Sequence, residues 1–139
     1  MKITKSYALL LLVAATLSSC STLSITEIRL SKEDYSAVVR GSVIRGQRDL
    51  YSLAGEEGQT LGISITSPEN NAVMVLYQPG ASAAEKDGIV EVTGKVLPGA
   101  GETDNATTWK GPLPVSGKYL VSVSPVRGNT AYEIKIMVR

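Results

Sequence analysis

Two runs near the carboxyl end alternate most cleanly between apolar and polar side chains. Tyr119, Val121 and Val123 mark the first, and Tyr132, Ile134, Ile136 and Val138 the second. A period of two puts each set on one face of a sheet, with Ser122, Ser124, Glu133 and Lys135 pointing the other way. The residues between them, Ser124-Pro125-Val126-Arg127-Gly128-Asn129-Thr130, are rich in turn formers, so the pattern predicts a hairpin. Leu61, Ile63 and Ile65 alternate with Gly62, Ser64 and Thr66 in another half-buried strand. Residues 72–77 are apolar on both faces and read as a central strand covered on two sides.

Weaker signals fill in the rest. A first strand is expected near 24–31 and a second over 36–44, with Gly41 marking a bulge or kink. Short strands are expected at 49–53 and 89–92. Ala81 to Lys86 reads as one helical turn, and Glu102 to Thr108 as a polar loop. Eight or nine short strands and no amphipathic helix predict an all-β, antiparallel β-sandwich over 25–139.

The amino-terminal stretch belongs to something else. Lys2 and Lys5 precede an apolar run from Tyr7 to Leu17, which is too short to cross a bilayer and has the layout of a secretory signal. It ends Leu17-Ser18-Ser19-Cys20, which resembles the lipobox of bacterial lipoproteins. That resemblance implies cleavage after Ser19, lipidation of Cys20 and a short tether over 20–24. Several acyl chains on one residue anchor firmly, since each buried methylene adds about 0.8 kcal/mol. Ser21 after the cysteine resembles the sorting signal for the outer membrane, so the expected location is the cell envelope, lipid-anchored and facing the periplasm.

Composition narrows the chemistry. Lys2 and Lys5 leave with the leader, which turns 14 basic against 13 acidic residues into a slight acidic excess. That is no footprint for nucleic acid. Cys20 is the only cysteine, so no disulfide supports the fold and no thiol is available as a nucleophile. The absence of histidine removes the usual general base, zinc ligand and middle member of a serine triad. Carboxylates remain, and Glu56 and Glu57 sit together in the turn Gly55-Glu56-Glu57-Gly58-Gln59, where a solvated pair is the plain reading. Glu102, Asp104 and Asn105 offer oxygen ligands for calcium without the spacing of a binding loop. No enzyme, metal or cofactor is expected. Phenylalanine is absent, so tyrosines and Trp109 must supply the aromatic part of the core.

What remains is binding through an exposed turn. Ser116-Gly117-Lys118-Tyr119 is the candidate: Gly117 permits a sharp reversal, Ser116 offers a hydroxyl, Lys118 a cation. Tyr119 either roots the turn or presents its own hydroxyl. Arg127 and Asn129, with Lys110, flank the same strands and are expected near the same end.

A family resemblance rests on Arg40-Gly41-Ser42-Val43-Ile44-Arg45-Gly46, Asp49-Leu50-Tyr51, Gly58-Gln59-Thr60-Leu61, Leu76-Tyr77-Gln78-Pro79-Gly80, the segment Gly111 to Tyr119, Arg127-Gly128-Asn129 and Ala131-Tyr132. This order resembles the periplasmic inhibitors of invertebrate-type and goose-type lysozyme. It is also similar to pre-peptidase C-terminal β-sandwich domains. The first resemblance implies a small sandwich that plugs a lysozyme cleft, with Ser116 and Tyr119 bonding catalytic carboxylates. The turn at Arg127 lacks the longer, arginine-rich insertion of those inhibitors, and residues 81–108 match nothing distinctive. The second implies an accessory module for envelope polysaccharide, peptidoglycan or another protein; a purely structural lipoprotein is the third reading. Replacing Cys20 by Ser is expected to abolish metabolic labelling with a fatty acid such as palmitate, and persistent labelling would refute the lipobox.

Overall fold

The computed structural model describes residues 23–139, so the leader and Cys20 lie outside the described residues. Ten strands follow in order: β1 (Ile25–Glu27), β2 (Ser36–Val43), β3 (Asp49–Gly55), β4 (Thr60–Thr66), β5 (Ala72–Tyr77), β6 (Ser82–Lys86), β7 (Ile89–Thr93), β8 (Thr108–Pro112), β9 (Gly117–Pro125) and β10 (Thr130–Val138). Two four-stranded sheets, ordered β1-β3-β9-β5 and β2-β10-β4-β8, form a sandwich, and β6 pairs only with β7. Every pairing is antiparallel except β1 with β3. The described strands and the core they enclose all fall within residues 21–139.

The period-two pattern explains the layers. Tyr51 and Leu53, Met74 and Leu76, and Tyr119, Val121 and Val123 face inward from the first sheet. Leu61, Ile63 and Ile65, with Tyr132, Ile134, Ile136 and Val138, meet them from the second. Each such aliphatic or aromatic side chain contributes about 1.5–3 kcal/mol when fully buried. The outer face of the first sheet is also covered: Val75, Tyr77 and Leu120 pack under Ala81, Val92 and Val96.

Several local expectations change. The two best-patterned runs do not form a hairpin. β9 lies between β3 and β5 while β10 lies between β2 and β4, so the 126–129 connection crosses from one sheet to the other. Alternation assigns faces but is blind to which strand is the neighbour. β5 is an edge strand, not a central one. Its second face is buried by the β6–β7 hairpin, and its edge by the 94–106 segment, through Met74 N–H to Ala106 O, Leu76 N–H to Ala100 O and Gln78 N–H to Lys95 O. Within Ala81 to Lys86, residues 82–86 form strand β6 in place of a helical turn, because its partner β7 follows at once across Asp87-Gly88. Trp109 lies in strand β8, against Ile63 of β4.

Gly41 is not a bulge, since β2 and β10 keep one register from Ser36 to Val43. The glycine makes room. A Cβ there would come within 2.5 Å of the Tyr132 hydroxyl oxygen. Tyr132 donates to Asp49 Oδ2 at 2.6 Å, and the Tyr51 and Tyr132 oxygens are 2.5 Å apart. With the Tyr132 proton engaged by Asp49, Tyr51 is the donor to Tyr132. The two rings meet edge-on, with centroids 6.5 Å apart. Burial, then the bond to Asp49, push the Tyr132 hydroxyl pKa far above its ordinary value; burial raises that of Tyr51 as well.

Tyr132→Phe is expected to cost about 1.5–3 kcal/mol in denaturant unfolding at neutral pH, because Asp49 loses its donor. Raised folded-state pKa values mean stability is complete below the ordinary tyrosine value of 10.0 and falls as pH rises past it. The alkaline loss should therefore be shallower in Tyr132→Phe than in the wild type.

Candidate functional site

β9 runs from Gly117 to Pro125 and so defines two ends of the sandwich, one where it enters and one where it exits. At the entry end two turns are bonded into one unit. Gly55 pairs with Gly117 and Thr60 with Pro112, which sets the 56–59 turn beside the 113–116 segment. Gly58 N–H donates to Leu113 O at 3.0 Å and Leu113 N–H to Gln59 O at 2.7 Å. Glu56 N–H donates to Gln59 Oε1 at 2.8 Å, and Glu57 N–H to Ser116 Oγ at 2.8 Å.

Tyr119 holds the loop from beneath. Its side chain is only 2 % exposed, its hydroxyl donates to Val115 O at 2.5 Å, and Val115 N–H points back at the same oxygen at 3.3 Å. Of the two roles open to it, this geometry is that of a root. Gly117 has φ +145, and a Cβ there would lie 2.7 Å from Pro79 Cβ, so the turn needs glycine for both conformation and space. Val115, Ser116 and Lys118 are left exposed at the surface. Ser116 Oγ is fixed as an acceptor for Glu57, which leaves its own proton to donate outward.

The predicted site residues fall into two groups. Ser116, Gly117, Lys118 and Tyr119 form one continuous surface-and-root unit at the entry end. Arg127 and Asn129 are at the exit end, about 30 Å away along nine residues of strand. The expectation that they share an end with Ser116 is thus corrected: it assumed a hairpin, and β9 carries the chain across the sandwich instead. Asn129 Oδ1 accepts Arg45 N–H at 2.9 Å, while Asn71 bonds the Arg127 main chain on both sides, at 2.5 and 2.7 Å. Lys110 sits in β8 opposite Gly62. Glu57, Gln59 and Pro79 shape the loop, a role the sequence does not assign them; Glu57 stands there only as half of a solvated carboxylate pair. The glycine-flanked turn at 55–59 is visible there, but its neighbour 113–116 is more than fifty positions away.

Two of the three candidate calcium ligands hold hydrogen-bond partners of their own. Glu102 Oε1 accepts from Arg48 Nη1 at 3.1 Å and Tyr77 Oη at 3.0 Å, and Asp104 Oδ2 accepts Gly101 N–H at 2.7 Å. The bond from Arg48, then that from Tyr77, hold the Glu102 carboxyl below its ordinary pKa. Among the described residues no three acidic, histidine or cysteine side chains gather as a metal site.

Neither a family model nor a curated protein sequence matches the chain. Solved structures do. PliG of Aeromonas hydrophila, a periplasmic inhibitor of g-type lysozyme, is 24% identical, with a TM-score of 0.65 over 84% of this chain and 96% of that one. PliG of Salmonella Typhimurium, with the same description, is 22% identical, with a TM-score of 0.57 over 85% of this chain and 100% of that one. The chain has the fold of the PliG inhibitors. A pre-peptidase C-terminal domain of collagenase from Bacillus anthracis is also similar, at 17% identity and a TM-score of 0.49 over 81% of this chain and 94% of that one. At that distance it carries no argument. Both groups named from the sequence are thus among the structural neighbours, and what the likeness shows is the fold.

Gly117→Ala is expected to destabilise the domain by about 1–3 kcal/mol through strain and overpacking against Pro79. Tyr119→Phe should cost about 0.5–1.5 kcal/mol, the net worth of one hydrogen bond. It should also speed amide exchange at Val115 by at least several-fold, with the core protected as before. Unchanged exchange at Val115 would show that the hydroxyl does not hold the loop.

Proposed function

We propose that this protein is a non-enzymatic lipoprotein of the cell envelope that binds a lysozyme through the 113–118 loop and blocks its cleft. The observation that carries the reading is Ser116. It is exposed and fixed in place by Glu57 N–H, which leaves its hydroxyl proton free to donate, two residues before the exposed Lys118. A hydroxyl donor and an ammonium on a preorganised tip suit a carboxylate acceptor, and glycoside hydrolases present carboxylates at the bottom of their clefts. The inhibitory activity named for the PliG structures, which share this fold, supports the same reading. Tyr119 acts from below by holding the loop, so Ser116 and Lys118 are the residues that meet the partner. Glu56 and Glu57 on the adjoining turn oppose an acidic target and set the limit on affinity. The protein is anchored through Cys20 in the outer membrane and faces the periplasm.

Purified residues 21–139 should slow cell-wall lysis by a goose-type lysozyme, with chicken-type and invertebrate-type enzymes as the further candidates. Ser116→Ala and Lys118→Ala should each weaken inhibition by roughly tenfold or more, as for central interface residues, with thermal stability unchanged. Glu56→Gln with Glu57→Gln should strengthen it. No inhibition of any of the three lysozyme types would overturn the proposal, and retention on peptidoglycan without inhibition would favour the polysaccharide-binding alternative.

A further inference from the structure

Two tips at the exit end repeat one small pattern, an exposed aliphatic side chain followed by an arginine. Ile44-Arg45 opens the connection from β2 to β3, and Val126-Arg127 the connection from β9 to β10. Ile44 and Val126 are each 55 % exposed. The two tips are fastened through main chain, Arg45 N–H to Asn129 Oδ1 and the Arg127 backbone to Asn71. Because the backbone does the fastening, both guanidinium groups are left for other work. Among the described residues neither pairs with a carboxylate.

Glu69, on the 3-10 turn Pro68–Asn70, and Glu102, which pairs with Arg48, are exposed carboxylates at the same end. The amino-terminal strand fixes which end is tethered. Leu23 and Ser24 line a cleft of about 440 Å³ together with Gln47 and Arg48 of the exit-end turn. Only Ser21 and Thr22 separate Leu23 from Cys20.

We propose that the exit end is a membrane-docking face. Ile44 and Val126 enter the headgroup layer, and Arg45 and Arg127 meet phosphates of anionic phospholipid in the leaflet that holds the anchor. Paired aliphatic and basic residues are what such an interface binds, with roughly fivefold in affinity for each cation near the surface. The inference deepens the anchored reading and rests on it. It places the 113–118 loop about 30 Å from the bilayer, the length of β9.

The test uses residues 21–139, which carry no acyl chain and no cysteine. A single cysteine introduced as Val126→Cys or Val115→Cys accepts an environment-sensitive fluorophore at one end or the other. With vesicles of phosphatidylglycerol and phosphatidylcholine, the probe at 126 should brighten and shift to the blue while the probe at 115 does not change. Phosphatidylcholine alone should give little response, and added salt should reverse the binding. Arg45→Gln with Arg127→Gln should lower vesicle affinity at least tenfold while the unfolding midpoint stays put. No response at 126, equal response at both ends, or indifference to the arginine pair would each overturn the proposal. Cys20 acylation is read separately by fatty-acid labelling, so loss of the anchor and loss of the docking face are distinct results.

Discussion

A buried tyrosine brings a hydroxyl that must be hydrogen-bonded, at a cost of about 1–3 kcal/mol if it is not. This core has no phenylalanine and relies on Tyr51, Tyr77, Tyr119 and Tyr132 for its large rings. Each hydroxyl finds a partner in a segment that the aliphatic core alone would not position. Tyr132, joined by Tyr51, holds Asp49 where β3 begins; Tyr77 holds Glu102 in the segment over the edge of β5; Tyr119 holds Val115 in the exposed loop. The need to satisfy these oxygens is what links the interior to the surface. A phenylalanine core would fill the same space and leave those segments to their own turns.

The same requirement orders the candidate site. Tyr119 is part of the inward row of β9 and the support of the loop that precedes it. Ser116 is tied sideways to Glu57 and the loop backbone to the 56–59 turn. Binding through such a loop loses little conformational freedom, because its geometry is set before a partner arrives. Glycine at 117 is the condition for that geometry, given its φ of +145 and the closeness of Pro79.

Much of this was legible in the sequence, and the limit lies in one kind of information. Alternation along 61–65, 119–123 and 132–138 gave the inward faces, because one-sided burial imposes a period of two. It did not give neighbours. β9 and β10 look like a hairpin and belong to different sheets, since pairing depends on contacts far apart in the chain. That error carried Arg127 and Asn129 to the wrong end. β6 was missed because Ala83 and Ala84 are small and its stability comes from β7 and from the sheet beneath it. The Ser116 to Tyr119 turn stands out in the sequence because Ser-Gly-x-Tyr is local chemistry; its clamp at Glu57 does not, because it is distant. The role of Tyr119 as support follows from burial, which the pattern of β9 already implied.

The parallel pairing of β1 with β3 decides how the domain bears mechanical load. Ile25, Thr26 and Glu27 lie alongside Leu50, Tyr51 and Ser52, so a pull on the amino terminus runs along the strand axis. The bonds of that short ladder are then sheared together instead of being peeled one by one. β3 in turn passes the force to β9, the strand that leads from the exposed loop. A tug at the 113–116 loop and a pull on the amino terminus thus meet in two adjacent strands of the first sheet.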